Sequence, residues 1–195
     1  MLAVGDAGGP VVKVWDDLLG AERCAATLRM AGHRASAIVP RVIAVLPDPP
    51  AVVMERVEGK MWAQSLNAGE AGSIERARRV GEALALLHRA TTNTPVIPDH
   101  LERFRAYHLK KAALRLGAGG RSPEIRRVAA AVITACAAQR RCLAHGDLTL
   151  LNVIVAPDRI AFVDFDMAWY GDPAFDLGML AGSLIGGHLV AATAP

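Results

Sequence analysis

Three side chains able to carry polar chemistry fall close together in HGDLTLLNVIVAPDRIAFVDFD, residues 145–166. Asp147 comes first, Asn152 follows five residues later, and Asp164 twelve after that. The segment between Asn152 and Asp164 holds two short β-branched or aromatic runs around Ala156-Pro157-Asp158-Arg159, which reads as a β-hairpin. A turn centred on Asp158 would place Asn152 directly opposite Asp164, and opposed residues share one face of a strand pair. An amide oxygen and a carboxylate would then converge at the open end of the hairpin. Hard oxygen ligands of this kind suit Mg²⁺, which keeps waters and recruits phosphate oxygens. Asp147, in the loop just before, is left as a free carboxylate beside the two-ligand clamp.

The elements that must position these groups follow from periodicity. Residues 11–15 (VVKVW) read as a strand with Lys13 in its middle, entered from Gly8-Gly9-Pro10. Residues 18–31 read as a helix with Ala21, Cys24, Ala25 and Leu28 on its apolar face, ending near Gly32. Strands are expected at 42–46 and 51–57, with Pro47-Asp48-Pro49-Pro50 as the turn and Gly59 closing the second. Helical spacing of Ile74, Ala77, Val80, Gly81, Leu84 and Leu87 runs to His88. A basic helix is expected at 99–116. Another starts at Ser122-Pro123-Glu124 with an inner face of Ile125, Val128, Ala129, Val132 and Cys136. Asp172-Pro173 starts a last helix through Leu177, Leu180 and Leu184. The order implies an α+β chain: a small α/β portion at 1–58, then a mainly helical portion at 59–195 that carries the hairpin.

Composition narrows the class. At 195 residues and 52% apolar content the chain is globular. A net charge of +3 is too small to imply a nucleic-acid partner. Residues 100–127 nevertheless concentrate eight Lys/Arg against Glu102 and Glu124. Three cysteines without a CxxC pair argue for neither a disulfide framework nor a zinc site, and fit a reducing cytoplasm. The N-terminus lacks the pattern of a signal peptide. Residues 177–195 carry no Asp, Glu, Lys or Arg, but glycines, Ser183 and His188 dilute the run, so a core helix is expected rather than a membrane span.

HGD-x4-N, a strand pair, DFD and then GDPAFD together resemble the aminoglycoside phosphotransferase and choline kinase-like group of small-molecule kinases, cousins of the protein kinases. The likeness extends over most of the chain: VVKVW resembles the strand with the phosphate-binding lysine, VVMERVEG the hinge between lobes, and GEALALLH the family helix ending in Leu-His. The resemblance implies a two-lobed protein kinase-like fold and an ATP- and Mg²⁺-dependent transfer of a phosphoryl group to a hydroxyl of a small molecule. It assigns Asp147 to the acceptor proton, Asn152 and Asp164 to the metal, Lys13 to the nucleotide phosphates, and the backbone of Glu55 and Val57 to adenine, with Met54 behind it. It leaves His145 to orient the loop, Asp172 and Asp176 to scaffold it, and Asp166 an accessory metal role. His88 is expected only to pack.

Three departures set expectations against this pattern. Only nine residues precede Pro10, leaving no room for the family's first strand and phosphate-covering hairpin. The helix position that usually carries a glutamate for the lysine is Cys24, and Glu22 lies about 200° around the helix from it. Only nineteen residues follow Asp176, where relatives continue with further helices. The chain thus reads as trimmed at both ends. The alternatives are a pseudokinase-like protein that binds nucleotide or a partner with little turnover, and a metal-dependent hydrolase built on His145, Asp147 and Asp164. The hydrolase is disfavoured because no second histidine falls at ligand spacing. The acceptor's identity and the oligomeric state are left open.

Overall fold

A computed structural model describes residues 8–67, 72–94, 106, 123–139 and 142–193. The expected basic helix at 99–116 falls outside these residues except for Ala106, which is helical.

Three antiparallel strands open the chain: β1 (Val11–Val14), β2 (Val42–Pro47) and β3 (Pro50–Met54), in the order β1-β3-β2. Lys13 pairs with Val52 in the central strand. Helix α1 (Leu18–Ala35) lies between β1 and β2 in sequence and packs on β3 and β2. Asp17 caps it, its carboxylate accepting from the Gly20 N–H at 2.6 Å. The buried face is made of small residues, Ala21, Cys24, Ala25, Ala31 and Ala35, with Leu28 among them, so the helix can approach the sheet closely. The helix does not stop at Gly32 as the sequence suggested. It continues to Ala35, because a glycine weakens a helix without breaking it when packing on either side persists. Glu55 to Val57, expected as strand, lie beyond the last ladder pair and form the connection out of the sheet.

A two-residue strand β4 (Lys60–Met61) leads into the short helix α2 (Trp62–Asn67), and α3 spans Ser73–Ala90. Val80, Leu84 and Leu87 of α3 are buried as their spacing predicts. Ile74 is 86% exposed, so the buried stripe is shorter than the periodicity implied, and Ala83 and His88 complete it. Helix α4 (Pro123–Ala138) starts at the proline as expected. Val128 and Val132, expected on its inner face, are 56% and 52% exposed. Spacing identifies the apolar face of a helix but not what covers it.

The stretch that carries Asp147, Asn152 and Asp164 is built from three short strand pairings. Strand β5 (Cys142–Ala144) pairs with β8 (Trp169–Gly171), and β6 (Val153–Val155) pairs with β7 (Ile160–Phe162) and, on its other side, with β4. Helix α5 (Ala174–Thr193) follows, with the Asp172 carboxylate accepting from the Ala174 N–H at 2.9 Å. Phe162, Val153, Leu148 and Leu84 are buried in one cluster that also includes Leu28 and Val52. The hairpin that carries the site therefore shares a core with α1 and the first sheet. Phe162 also donates its N–H to the Ile38 carbonyl at 2.9 Å, which joins β7 to the segment after α1. No helix among the described residues is long and apolar enough to cross a membrane.

Candidate active site

The expected hairpin is present, but its register is shifted by one residue. Ala156 donates its N–H to the Arg159 carbonyl at 2.8 Å, so the turn is the two residues Pro157 and Asp158 and is not centred on Asp158. Val153 then pairs with Phe162, and the Asn152 carbonyl accepts from the Val163 N–H at 3.0 Å. Asn152 thus faces Val163, and Asp164 sits one step beyond the ladder. A one-residue slip changes which side chains share a face. Asp164 is positioned instead by its backbone, at φ 67 and ψ 61, in the left-handed region that aspartate tolerates better than most residues. Strain of this kind at a half-buried carboxylate is held by its surroundings and is typical of functional turns. A short 3₁₀ turn, Phe165–Met167, follows directly.

Asn152 ends another 3₁₀ turn, Leu150–Asn152. Its Nδ2 donates to the Asp147 carbonyl at 2.9 Å. This bond fixes the amide orientation, keeps Oδ1 as the acceptor, and ties Asn152 to the residue expected to handle the acceptor proton. Asp147 is half-buried.

The loop that presents Asp147 is held from beneath by Asp176, a fully buried carboxylate. It accepts from the His145 N–H at 2.8 Å, from the Gly146 N–H at 3.0 Å, and from Nε2 of His88 at 2.9 Å. Three donors around one buried carboxylate offset its loss of water. His88 is therefore a loop anchor as well as a packing residue, a role its position at a helix end did not reveal. The His145 ring is oriented by its neighbours: Nε2 donates to the Val163 carbonyl at 2.8 Å, while Nδ1 accepts from the Asp147 N–H at 3.4 Å. The ring also lies against Phe165, with centroids 4.5 Å apart. His145 thus orients the loop. Gly146 has φ 80, and a Cβ there would lie 2.0 Å from the Met167 carbonyl oxygen, so only glycine fits between the two loops.

Lys13 is 7% exposed, and its ammonium contacts two carboxylates. Nζ lies 2.6 Å from Oδ1 of Asp164 and is also ion-paired with Asp166. The Trp15 ring lies below the ammonium, its centroid 5.1 Å away. Burial works against the charged amine, but the charges and hydrogen bonds of Asp166 and Asp164 outweigh it and hold its pKa above the ordinary lysine value. Sequence reasoning missed Asp166 as a lysine partner. The signal available was Cys24 on α1, at the position where the family resemblance implies a glutamate.

Lys13, Glu55, Val57 and Asp164 line one cavity of about 200 Å³, with Met54, Cys24 and Leu28 among its apolar walls. Asp147 and Asn152 are not among its lining residues. They adjoin it through Val163 and the loop bonds described above. Glu55 is held from both ends: its N–H donates to the Arg41 carbonyl at 2.9 Å, and its carboxylate accepts from the Arg41 N–H at 3.0 Å and from the Arg159 guanidinium. Partial burial works against the carboxylate, but Arg159 and the Arg41 N–H outweigh it and lower its pKa. Arg159, a turn residue with no motif around it, also donates to the Ala37 and Val39 carbonyls and so fastens the hairpin tip to the segment between α1 and β2.

The donor set fits a hard divalent cation in part. Asp164 supplies a half-exposed carboxylate and Asn152 an amide oxygen, both suited to Mg²⁺. Among the described residues no group of three or more His, Cys, Asp or Glu could hold a metal ion by itself, so a metal here needs further oxygens from a ligand or water.

The family model of the phosphotransferase enzyme family APH matches residues 3–193. No curated protein sequence matches the chain. Solved structures share its fold. A choline/ethanolamine kinase family protein from Mesorhizobium loti is 22% identical with a TM-score of 0.60 over 91% of this chain and 59% of that one. The APH(2")-IIa–gentamicin complex is 17% identical with a TM-score of 0.55 over 86% and 62%. An aminoglycoside-3'-phosphotransferase of type VIII is 22% identical with a TM-score of 0.52 over 90% and 68%. The chain spans about three-fifths of the length of the first two. With DFD closing on Lys13 and the HGD-x4-N loop adjoining the lysine's cavity, this protein kinase-like chain belongs to the APH phosphotransferase enzyme family.

Proposed function

We propose that the chain transfers the γ-phosphoryl group of ATP, with Mg²⁺, to a hydroxyl of a small molecule. The observation that carries this reading is the gathering of Lys13, Asp164, Glu55 and Val57, from distant parts of the sequence, around one cavity that Asn152 and Asp147 adjoin. Its volume is small beside the ~300–1,000 Å³ usual for ligand pockets and is suited to a base between apolar walls. Residues 1–58 form the nucleotide-binding lobe in this reading, and residues 59–195 the catalytic lobe. In the cytoplasm, where a reduced Cys24 and Cys142 belong, both cofactors are abundant.

Phosphoryl transfer has a loose transition state, so the protein's task is to position groups and offset charge. Mg²⁺, when bound, draws charge from the phosphate oxygens. Asp164 and the Asn152 Oδ1 would hold it. Lys13 supplies a positive charge already buried at the cavity and aligned by two carboxylates. The backbone of Glu55 and Val57 offers adenine its hydrogen bonds, with Met54 as the apolar wall. Asp147, its loop anchored by Asp176 and its carbonyl tied to Asn152, accepts the proton of the attacking hydroxyl. The pairing of Lys13 with the metal ligand Asp164 is a resting arrangement, and the nucleotide phosphates would replace Asp164 as the partner of the ammonium.

Transfer from γ-labelled ATP to a panel of amino sugars, macrolides, amino alcohols and other hydroxyl compounds tests this reading. Asp147→Ala should remove transfer by roughly 10²-fold or more, the usual weight of a positioned base, while nucleotide affinity stays within about twofold. Equal turnover in the variant would remove Asp147 from the mechanism. Nucleotide binding with no transfer to any acceptor would favour the pseudokinase.

A further inference from the structure

We propose that a groove behind the hinge, separate from the nucleotide cavity, binds a small organic anion with a flat apolar body. The groove encloses about 520 Å³ between α1, the segment after it and the start of β2. Its lining combines two chemistries. Half-buried Val42, with the edges of the nearly buried Leu28 and Val39, supplies an apolar floor, and Arg29, Arg41 and Arg159 supply positive charge against the single carboxylate of Glu55.

The three arginines are not equivalent. Arg159 is fully engaged, with its guanidinium on Glu55 and on the Ala37 and Val39 carbonyls, so it forms a fixed part of the wall. Arg29 and Arg41 are exposed, and among the described residues neither guanidinium makes a salt bridge. Arg41 is close enough to Glu55 to act on its charge but forms no salt bridge with it, and Arg29 pairs with no carboxylate among the described residues. At the edge of one concavity the two guanidiniums match a phosphate, sulfonate or carboxylate, which they can grip through planar, paired hydrogen bonds. His33, one helical turn from Arg29 on the same face of α1, lines the groove as well and adds a further donor.

A second observation points the same way. Gly32 lies inside α1, where glycine is a poor choice, and no close contact demands it: an added Cβ would meet nothing within 4 Å. It lines the groove. Its missing side chain leaves this part of the groove open. The groove also shares Leu28 and Glu55 with the nucleotide cavity, so an occupant would touch the back of the hinge.

The test is calorimetric titration of the whole chain with 1-naphthyl phosphate, with neutral 1-naphthol as the uncharged comparison and neutral adenosine as a competitor for the hinge cavity. Gly32→Leu fills the groove with a better helix former, and Arg29→Ala/Arg41→Ala removes the charge. Thermal unfolding of each variant shows that the fold is kept. The expected result is saturable binding of the phosphate, at least tenfold tighter than that of 1-naphthol. It should weaken at least tenfold in both variants and be indifferent to adenosine. No binding, binding that survives either variant, equal affinity for 1-naphthol, or displacement by adenosine would each overturn the proposal.

Discussion

The Lys13 ammonium is ion-paired with Asp166, the last residue of the DFD run, as well as with Asp164, the first. The family resemblance implies a helix glutamate beside this lysine, and here Cys24, which stands at that position on α1, lines the cavity. Asp166 supplies the carboxylate that α1 lacks. In the proposed reaction it would be a positioning residue, acting on the nucleotide through Lys13.

Asp166→Asn should therefore leave Lys13 with Asp164 as its only carboxylate, so that the lysine competes with Mg²⁺ for that oxygen. The expected outcome is a requirement for about tenfold more Mg²⁺ at half-saturation, equivalent to ~1.4 kcal/mol. Asp166→Glu should restore much of it. A Mg²⁺ titration of nucleotide binding reads the effect, and an unchanged midpoint in Asp166→Asn would remove Asp166 from this role.

Asp176 gives a prediction about stability. Its carboxylate satisfies two loop N–H groups and His88 in a site without solvent. Asp176→Ala leaves those donors unpaired, at a cost of about 3 kcal/mol or more. Urea unfolding should show this loss, and a loss below ~1 kcal/mol would show that the loop is held by other contacts.

Much of this architecture was legible in advance. The buried face of α1, the core of α3, the start of α5 and the loop–hairpin order all follow from periodicity and capping residues. The register of the hairpin did not, because Ala-Pro-Asp-Arg is compatible with turns of different centre and only the Ala156–Arg159 hydrogen bond selects one. Arg159 carried no signal either: its three partners lie more than a hundred residues away, and long-range side-chain bonds leave no periodic trace. His88 and Asp176 were each recognisable as structural, but their contact across 88 residues was not.

Two ionisable groups give opposite pH limbs. The Lys13 pKa is raised above 10.5, so its stabilisation is complete below that pH and is lost as pH rises through the folded-state value. The Glu55 pKa is lowered below 4.5, so its stabilisation is present above that pH and is lost as pH falls through its folded-state value. Glu55→Gln should be less stable than the parent chain at pH 7, and the difference should shrink in acid, once the pH has fallen through the folded-state value of the parent's carboxylate. Denaturant unfolding of both proteins at neutral pH and in acid checks this. A difference that does not change with pH would mean that the Arg159 contact does not depend on the charge of Glu55.

The central claim, a magnesium-nucleotide site built on Asp164 and Asn152, is tested most directly by calorimetric titration of ATP with and without Mg²⁺ into the parent chain and into Asp164→Ala. The account predicts saturable binding that requires Mg²⁺ and weakens at least tenfold in Asp164→Ala, since a lost ligand leaves the metal with one protein oxygen. Absence of ATP binding to the parent chain, or equal affinity in Asp164→Ala, would contradict it.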